Sequence, residues 1–416
     1  MLVEIADTYT LNINSEETEP ELMLRSLIKA MHTRFGHVAI LVDEYDSPIL
    51  RSLDDHDRAK AIRGAIQQFF TTIKSLDAQI DFVFITGVTS FAKAGLFSGI
   101  NNLTIISLDK QYATICGYTD QEIDHNFSDF ITTWAQQENT SYDQIREQMK
   151  TWYNGYHFSE NVTSVYNPFS VMHALNIQAF ENFWFQSGTP TFLVEILKKE
   201  YKDFDPENLT MSKDTLGIFD VGATPLLALM FQAGYLTIVD YENTRKLYTL
   251  GYPNQEVHDS LQIYLFEVFA HVNYNAATKM TNSFYDALAS GEIETIVSAI
   301  KQLFAHVPYQ LHIPQEKFYH ALFQMACTAA VIKAQSEYST AHGRIDLILD
   351  LPKFLYVIEI KFNKPAQEAL DQIEERRYYE RFLNQGKPII LLGLSFERAP
   401  SQFNVTYETK RIDTKN

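Results

Sequence analysis

Two kinds of apolar pattern alternate along the first ninety residues. In PELMLRSLIKAMHTRF, apolar side chains at 24, 27, 28, 31 and 35 keep helical spacing and predict a helix over 20–35 that Gly36 closes. The unbroken run Val38–Val42 then predicts a strand buried on both faces of a parallel sheet. Ile62, Ala65, Ile66, Phe69, Ile73 and Leu76 form a second helical stripe over 57–76, and Ile80–Ile85 is a second apolar run. Strand, helix, strand is the repeating unit of an α/β sheet.

The pattern changes after residue 115. Residues 116–260 are rich in aromatics, in phrases such as WYNGYHF (152–158), YNPFS (166–170), SGTPTFL (187–193) and FQAGYLTI (231–238). Aromatics in such numbers are expected to fill a core. Residues 224–250 read as a helix, then strand Tyr235–Tyr241, a polar turn and strand Lys246–Leu250, the closing elements of a winged helix. Residues 257–308 read as helical, and 314–335 as a strongly apolar helix with Glu316 near its start. Two short apolar runs follow, Ile345–Leu349 and Phe354–Ile360, around a turn at Leu351-Pro352-Lys353, which predicts a hairpin. Pro365 then opens a helix with apolar positions 366, 369, 370, 373 and 382, carrying Gln372 and Tyr379, and Pro388–Leu394 is a last strand.

Three polar residues interrupt the apolar pattern of that hairpin. Asp346 stands in the first strand, and Glu359 and Lys361 in the second. Strand side chains alternate with period two, so Glu359 and Lys361 share a face. With Asp346 beside Glu359, two carboxylates and one amine converge. Burying them is costly unless they bind a cation or one another. A hard divalent ion, Mg²⁺ or Mn²⁺, suits two carboxylates, which makes Asp346 and Glu359 the candidate metal ligands.

The strand tips of the N-terminal region carry a second candidate. Val38–Val42 runs into Asp43-Glu44, the Walker B arrangement, in which the aspartate holds Mg²⁺ and the glutamate orients water. Ile80–Ile85 ends in Thr86, placed to sense a γ-phosphate. Yet no GxxxxGK[ST] occurs in the chain, so the backbone cradle and lysine that grip phosphates are missing. ATP is therefore expected as a cofactor only if a phosphate loop comes from elsewhere, for instance from a partner ATPase.

Composition adjusts this picture modestly. The 416 residues are 46% hydrophobic, enough for two or three cored domains. A net charge of -18 argues against non-specific coating of nucleic acid. The charge is uneven, however: residues 353–416 hold eleven Lys and Arg against nine Asp and Glu, so a local nucleic-acid groove there is permitted. Two cysteines, Cys116 and Cys327, fit a reducing compartment, and no run of roughly eighteen apolar residues suggests a membrane span. MLVEIADTYTL lacks the basic start and long apolar core of a signal peptide, so a cytoplasmic protein with no membrane partner is expected. There is no GxSxG and no CxxC.

The hairpin with D…ExK between two helices, GRIDLIL and IEIKF, resembles the PD-(D/E)XK nuclease superfamily. The phrases LVDEYDSPIL, FVFITGVTSFAKAGLFSGINNLT, WYNGYHF, YNPFS, SGTPTFL, FQAGYLTI and GYPNQEV, spread over about 38–260, resemble bacterial AAA-ATPase-like proteins that carry such a nuclease domain at the C-terminus. The resemblance implies an α/β protein in four parts: a partial AAA-like core with Walker B at 1–115, a helical and winged-helix region at 116–260, a helical connector at 261–310, and a restriction-endonuclease-like domain at 311–416. It implies Asp346 and Glu359 as metal ligands, Lys361 as the group that positions water or stabilises developing charge, and Glu316 and Gln372 as supporting polar residues. It implies DNA as substrate, a possible homo-oligomer, and full-length members that begin with a P-loop, so this chain is expected to be shortened at its N-terminus. The alternative expectation is a non-catalytic scaffold that binds nucleotide, nucleic acid or protein.

Overall fold

The computed structural model describes residues 2–13, 17–52, 55–90, 103–160, 162–186, 209–217, 226–261, 274–305, 316–330, 334–340, 343–399 and 402–413. The chain divides into two compact units, Met1–Val257 and His258–Asn416. The phrases at 91–100 and at 187–193 lie outside the described residues.

The first unit begins with the predicted α/β pattern. Helix α1 (Pro20–Phe35) precedes strand β1 (Val38–Val42), helix α2 (His56–Lys74) and strand β2 (Ile80–Ile85). Asp55 caps α2 by accepting from the Arg58 N–H. β1 and β2 pair in parallel from Ala39↔Phe82 to Val42↔Ile85. Leu24, Ile28, Phe70, Ile73 and Leu76 form the core beneath them, against Val38, Ile40, Val42, Val83 and Ile85. One expectation changes here. β1 is covered on one face rather than two: its side chains alternate between half-buried and exposed, and Leu41 is 72% exposed. Among the described residues only two strands pair in this sheet, and the helices α1 and α2 both pack on one side of it.

Helices α3 (Asp120–Gln137), α4 (Tyr142–Tyr153) and α5 (Pro168–Ile177) follow. Capping boxes at Thr119/Glu122 and Ser141/Gln144 start the first two. The third shows what YNPFS encodes: Asn167 caps the Phe169 and Ser170 N–H groups, Pro168 begins the helix, and Tyr166 is fully buried. WYNGYHF is likewise a packing motif. Tyr153 and Tyr156 are buried, and Gly155 (φ 107°) lies so near the Pro253 carbonyl that a Cβ would sit 1.8 Å from its oxygen. Helix α6 (Leu226–Gln232) leads into the hairpin of β4 (Thr237–Glu242) and β5 (Leu247–Gly251). Strand β3 (Thr210–Ser212) adds to the other edge of β5.

In the second unit, helices α7 (Tyr274–Ser290), α8 (Ile293–Ala305) and α9 (Glu316–Ala329) precede a five-stranded sheet. Its strands are β6 (Ala334–Thr340), β7 (Gly343–Asp350), β8 (Leu355–Phe362), β9 (Ile389–Ala399) and β10 (Gln402–Ile412), in the order β10-β9-β8-β7-β6. β8 and β9 are parallel, joined through helix α10 (Ala366–Glu375), and the other pairs are antiparallel. β8 is central and buried on both faces, which explains its near-continuous apolar sequence. Two strands exceed the sequence reading, β6 and β10, and α10 is shorter than predicted. It stops at Glu375, Arg377 takes φ 50°, and Tyr379 packs on the core from the turn beyond it.

Candidate functional site

The two strands of the predicted hairpin, β7 and β8, pair from Asp350↔Leu355 to Leu347↔Ile358. The next residues along are Asp346 and Glu359. There the ladder gives way: the Asp346 carboxylate, through Oδ2, accepts the Ile360 N–H at 2.8 Å, a donor that an unbroken ladder would give to a main-chain carbonyl. One carboxylate oxygen of Asp346 is thereby fixed against the backbone of β8.

Glu359 points into the protein and is 2% exposed. Its Oε1 accepts from Lys361 Nζ at 3.0 Å and from Gln372 Nε2. Its Oε2 is fully buried and has no hydrogen-bond partner among the described residues. An ionised oxygen left alone in that way is costly. Burial, and then the charge of Asp346, push the Glu359 carboxyl up to about 7, although Lys361 works the other way. Lys361 is 9% exposed. Burial opposes its charge, but Glu359, Glu316 and Asp346 outweigh that and raise its pKa.

Two helices bring in the remaining groups. α9 starts at Glu316, whose Oε1 lies 3.7 Å from Lys361 Nζ. α10 delivers Gln372, and Gly393 makes that possible. Gly393 pairs with Glu359 across β8 and β9, and a Cβ on it would stand 2.6 Å from the Ala366 carbonyl oxygen and 2.7 Å from the Leu370 nitrogen. Glycine lets the helix lie directly on the strand, so that Gln372 reaches the Glu359 carboxylate. All five residues expected at this site, Asp346, Glu359, Lys361, Glu316 and Gln372, therefore come together.

The strand tips of the first unit bring together two of their three candidates. Thr86 Oγ1 donates to Asp43 Oδ1 at 2.5 Å, and the Thr86 N–H donates to the Val42 carbonyl at 2.8 Å. Glu44 is exposed and takes φ 51°, turning the chain out of the strand. The buried acid here is Asp46, which sequence reasoning missed. It is 0% exposed and accepts from Val88 N, Thr89 N and Thr89 Oγ1 at 3.2, 2.6 and 2.5 Å. Gly87 leaves room for it, since a Cβ there would lie 2.6 Å from Asp46 Oδ1. Asp46 ties the two strand tips together and is fully satisfied in doing so.

Known proteins match the two ends of the chain. Residues 1–97 match a family described as predicted AAA-ATPase, and residues 314–405 match the PD-(D/E)XK nuclease superfamily. Over 413 residues the chain is 34% identical to the "uncharacterized protein in vnfD 5′ region" of Azotobacter chroococcum mcd 1, covering 95% of this chain and 77% of that protein. The chain belongs to the AAA-ATPase-like proteins with a PD-(D/E)XK nuclease domain. No solved structure matches.

The PD-(D/E)XK domain has the restriction-endonuclease-like α/β fold, with the D…ExK residues on β7 and β8. Its fit to a divalent ion can be judged from the donors present. Among the described residues no group of three or more His, Cys, Asp or Glu side chains forms a closed cage. Mg²⁺ needs none: it keeps several waters and takes one or two carboxylates besides substrate phosphate. Asp346 and Glu359 are two carboxylates that fit this demand, and among the described residues the buried Glu359 Oε2 has no hydrogen-bond partner. Sequence reasoning also missed His320, one turn along α9 from Glu316, whose Nε2 lies 2.8 Å from the main-chain oxygen of Asp346. Its signal was the four-residue spacing from Glu316. Among the described residues no helix is long and apolar enough to cross a membrane.

Proposed function

We propose that the PD-(D/E)XK domain hydrolyses phosphodiester bonds in DNA with a divalent ion, Mg²⁺ or Mn²⁺, held by Asp346 and Glu359. The observation that carries this reading is Glu359, buried with one oxygen held by Lys361 and Gln372 and the other without a hydrogen-bond partner among the described residues. When bound, the ion supplies Lewis acidity and lowers the pKa of a water. The chain's own residues do the rest. Asp346, pinned to the Ile360 N–H, and Glu359, pinned by Gln372, present fixed oxygens. Lys361 carries a positive charge beside them, placed to offset negative charge as it develops on a phosphoryl oxygen. Glu316 restrains that amine from the helix side.

In the same reading, residues 1–115 are a partial AAA-like core, 116–260 a helical region ending in a winged helix at α6, β4 and β5, and 261–310 a connector to the nuclease domain at 311–416. Asp43, Glu44 and Thr86 would face ATP only alongside a phosphate loop supplied by a partner ATPase. The protein works in the cytoplasm.

The test is cleavage of supercoiled plasmid and single-stranded DNA with Mg²⁺ or Mn²⁺. Cutting that EDTA stops, and that Asp346→Ala and Lys361→Ala each remove, supports the reading. Cutting that survives both substitutions overturns it, and nucleic-acid binding without cutting under either metal favours the scaffold alternative.

A further inference from the structure

Among the described residues, His320 is a further polar side chain directed at this site. It stands four residues after Glu316 on α9, so the two share a helix face. Between them they address both strands of the hairpin. Glu316 meets Lys361 on β8 at 3.7 Å, and His320 meets Asp346 on β7 at 2.8 Å. The His320 contact is to the main-chain oxygen of Asp346. A carbonyl can only accept, so Nε2 carries the proton and Nδ1 is left on the far side of the ring.

The position of Asp346 explains what this bond does. The pairing of β7 with β8 ends at Leu347↔Ile358, one residue short of Asp346. Its side chain is occupied through Oδ2 with the Ile360 N–H. His320 holds the other end of the residue, its carbonyl. The helix that carries His320 is itself well anchored. The neighbouring Tyr319 is fully buried and stacks on Phe362 of β8 and Phe396 of β9, with ring centroids 5.1 and 4.9 Å away. A donor on so fixed a helix sets where the Asp346 backbone lies, and with it where the second carboxylate oxygen, Oδ1, points.

We propose that His320 is a positioning residue: its Nε2–H holds the Asp346 carbonyl so that the Asp346 carboxylate is pre-set for the ion. This rests on the nuclease reading above, and its substitutions separate the two. Glutamine places an N–H donor near the Nε2 position, whereas asparagine is too short and alanine has none. In full-length protein, Mn²⁺ binding followed by electron paramagnetic resonance should weaken about 10–100-fold in His320→Ala and His320→Asn, the usual effect of removing a group that orients a metal ligand. His320→Gln should recover to within about threefold, since it restores that donor. DNA cleavage at saturating Mn²⁺ should fall less than cleavage at limiting Mn²⁺. Equal binding in His320→Ala and wild type overturns the proposal, and so does a His320→Gln variant as impaired as His320→Asn. If His320→Ala does not fold, the glutamine and asparagine pair decides alone. Wild-type protein that neither binds Mn²⁺ nor cuts DNA overturns the nuclease reading, and the role of His320 with it.

Discussion

Two places in this chain set carboxylates on strands, one at the tips of β1 and β2 and one within β7 and β8, and they treat them in opposite ways. At the tips of β1 and β2, Asp43 is exposed and hydrogen-bonded by Thr86, Glu44 faces solvent, and the buried acid, Asp46, has three donors. Every charge there is solvated or satisfied by the chain itself. On β7 and β8, Glu359 is buried, sits near a second carboxylate and keeps an oxygen with no hydrogen-bond partner among the described residues. The first arrangement is stable without a ligand. The second carries a cost that a bound cation would offset. Unsatisfied burial, more than the presence of acids, separates a site poised for an ion from strand-tip acids that are already satisfied.

The largest effects should fall on the hairpin. Asp346→Ala and Lys361→Ala should each lower DNA cleavage by about a thousandfold or more, the scale of losing a charge-stabilising group, whereas Asp43→Ala should leave nucleotide-free cleavage within about twofold. A plasmid-nicking assay reads this, and a large loss in Asp43→Ala would break the contrast. Next comes thermal stability. Mg²⁺ at about 100 times its Kd should stabilise the wild-type nuclease unit by about 2.7 kcal/mol and Glu359→Gln hardly at all, as calorimetry can measure. Gly393→Ala should push α10 off β9, cost about 1–3 kcal/mol through overpacking and weaken metal binding by separating Gln372 from Glu359.

The smallest effect concerns pH and a residue that belongs to neither site. Glu256 is 0% exposed, accepts from Ser170 and the Trp184 N–H, and burial pushes its carboxyl up to about 6 despite those bonds. The native state therefore keeps a proton that the unfolded chain loses between about pH 4.5 and 6. Stability from this group is intact below the unfolded value and falls as pH rises through 6, by about 2 kcal/mol at most. Glu256→Gln should flatten that slope in denaturation curves recorded from pH 4 to 7. An unchanged slope would remove Glu256 from the list of strained acids and leave Glu359 more distinctive.

Much of this was legible in the sequence because it depends on short-range periodicity. β1, α1, α2 and β2 follow from apolar spacing, and the period-two rule put Glu359 and Lys361 on one face. Gln372 could be placed on a helix after the hairpin, but not in contact with Glu359, because that contact depends on the closeness allowed by Gly393. Asp46 and His320 were missed for a similar reason: each works through long-range bonds, to Thr89 and to the Asp346 carbonyl. β6 was hidden because AQSEYST is polar and stands soon after an apolar helical stretch in the sequence. β10 did carry an alternating signal in QFNVTYETKRI and could have been read. The exposed face of β1 was beyond reach, since an apolar run does not reveal how many faces are covered.

The most direct test of the contrast between the two sites is Mn²⁺ binding by electron paramagnetic resonance, without nucleotide, on wild type, Asp346→Ala and Asp43→Ala. The account predicts a bound Mn²⁺ signal in wild type and Asp43→Ala that is lost in Asp346→Ala. Binding that survives in Asp346→Ala and disappears in Asp43→Ala would contradict it.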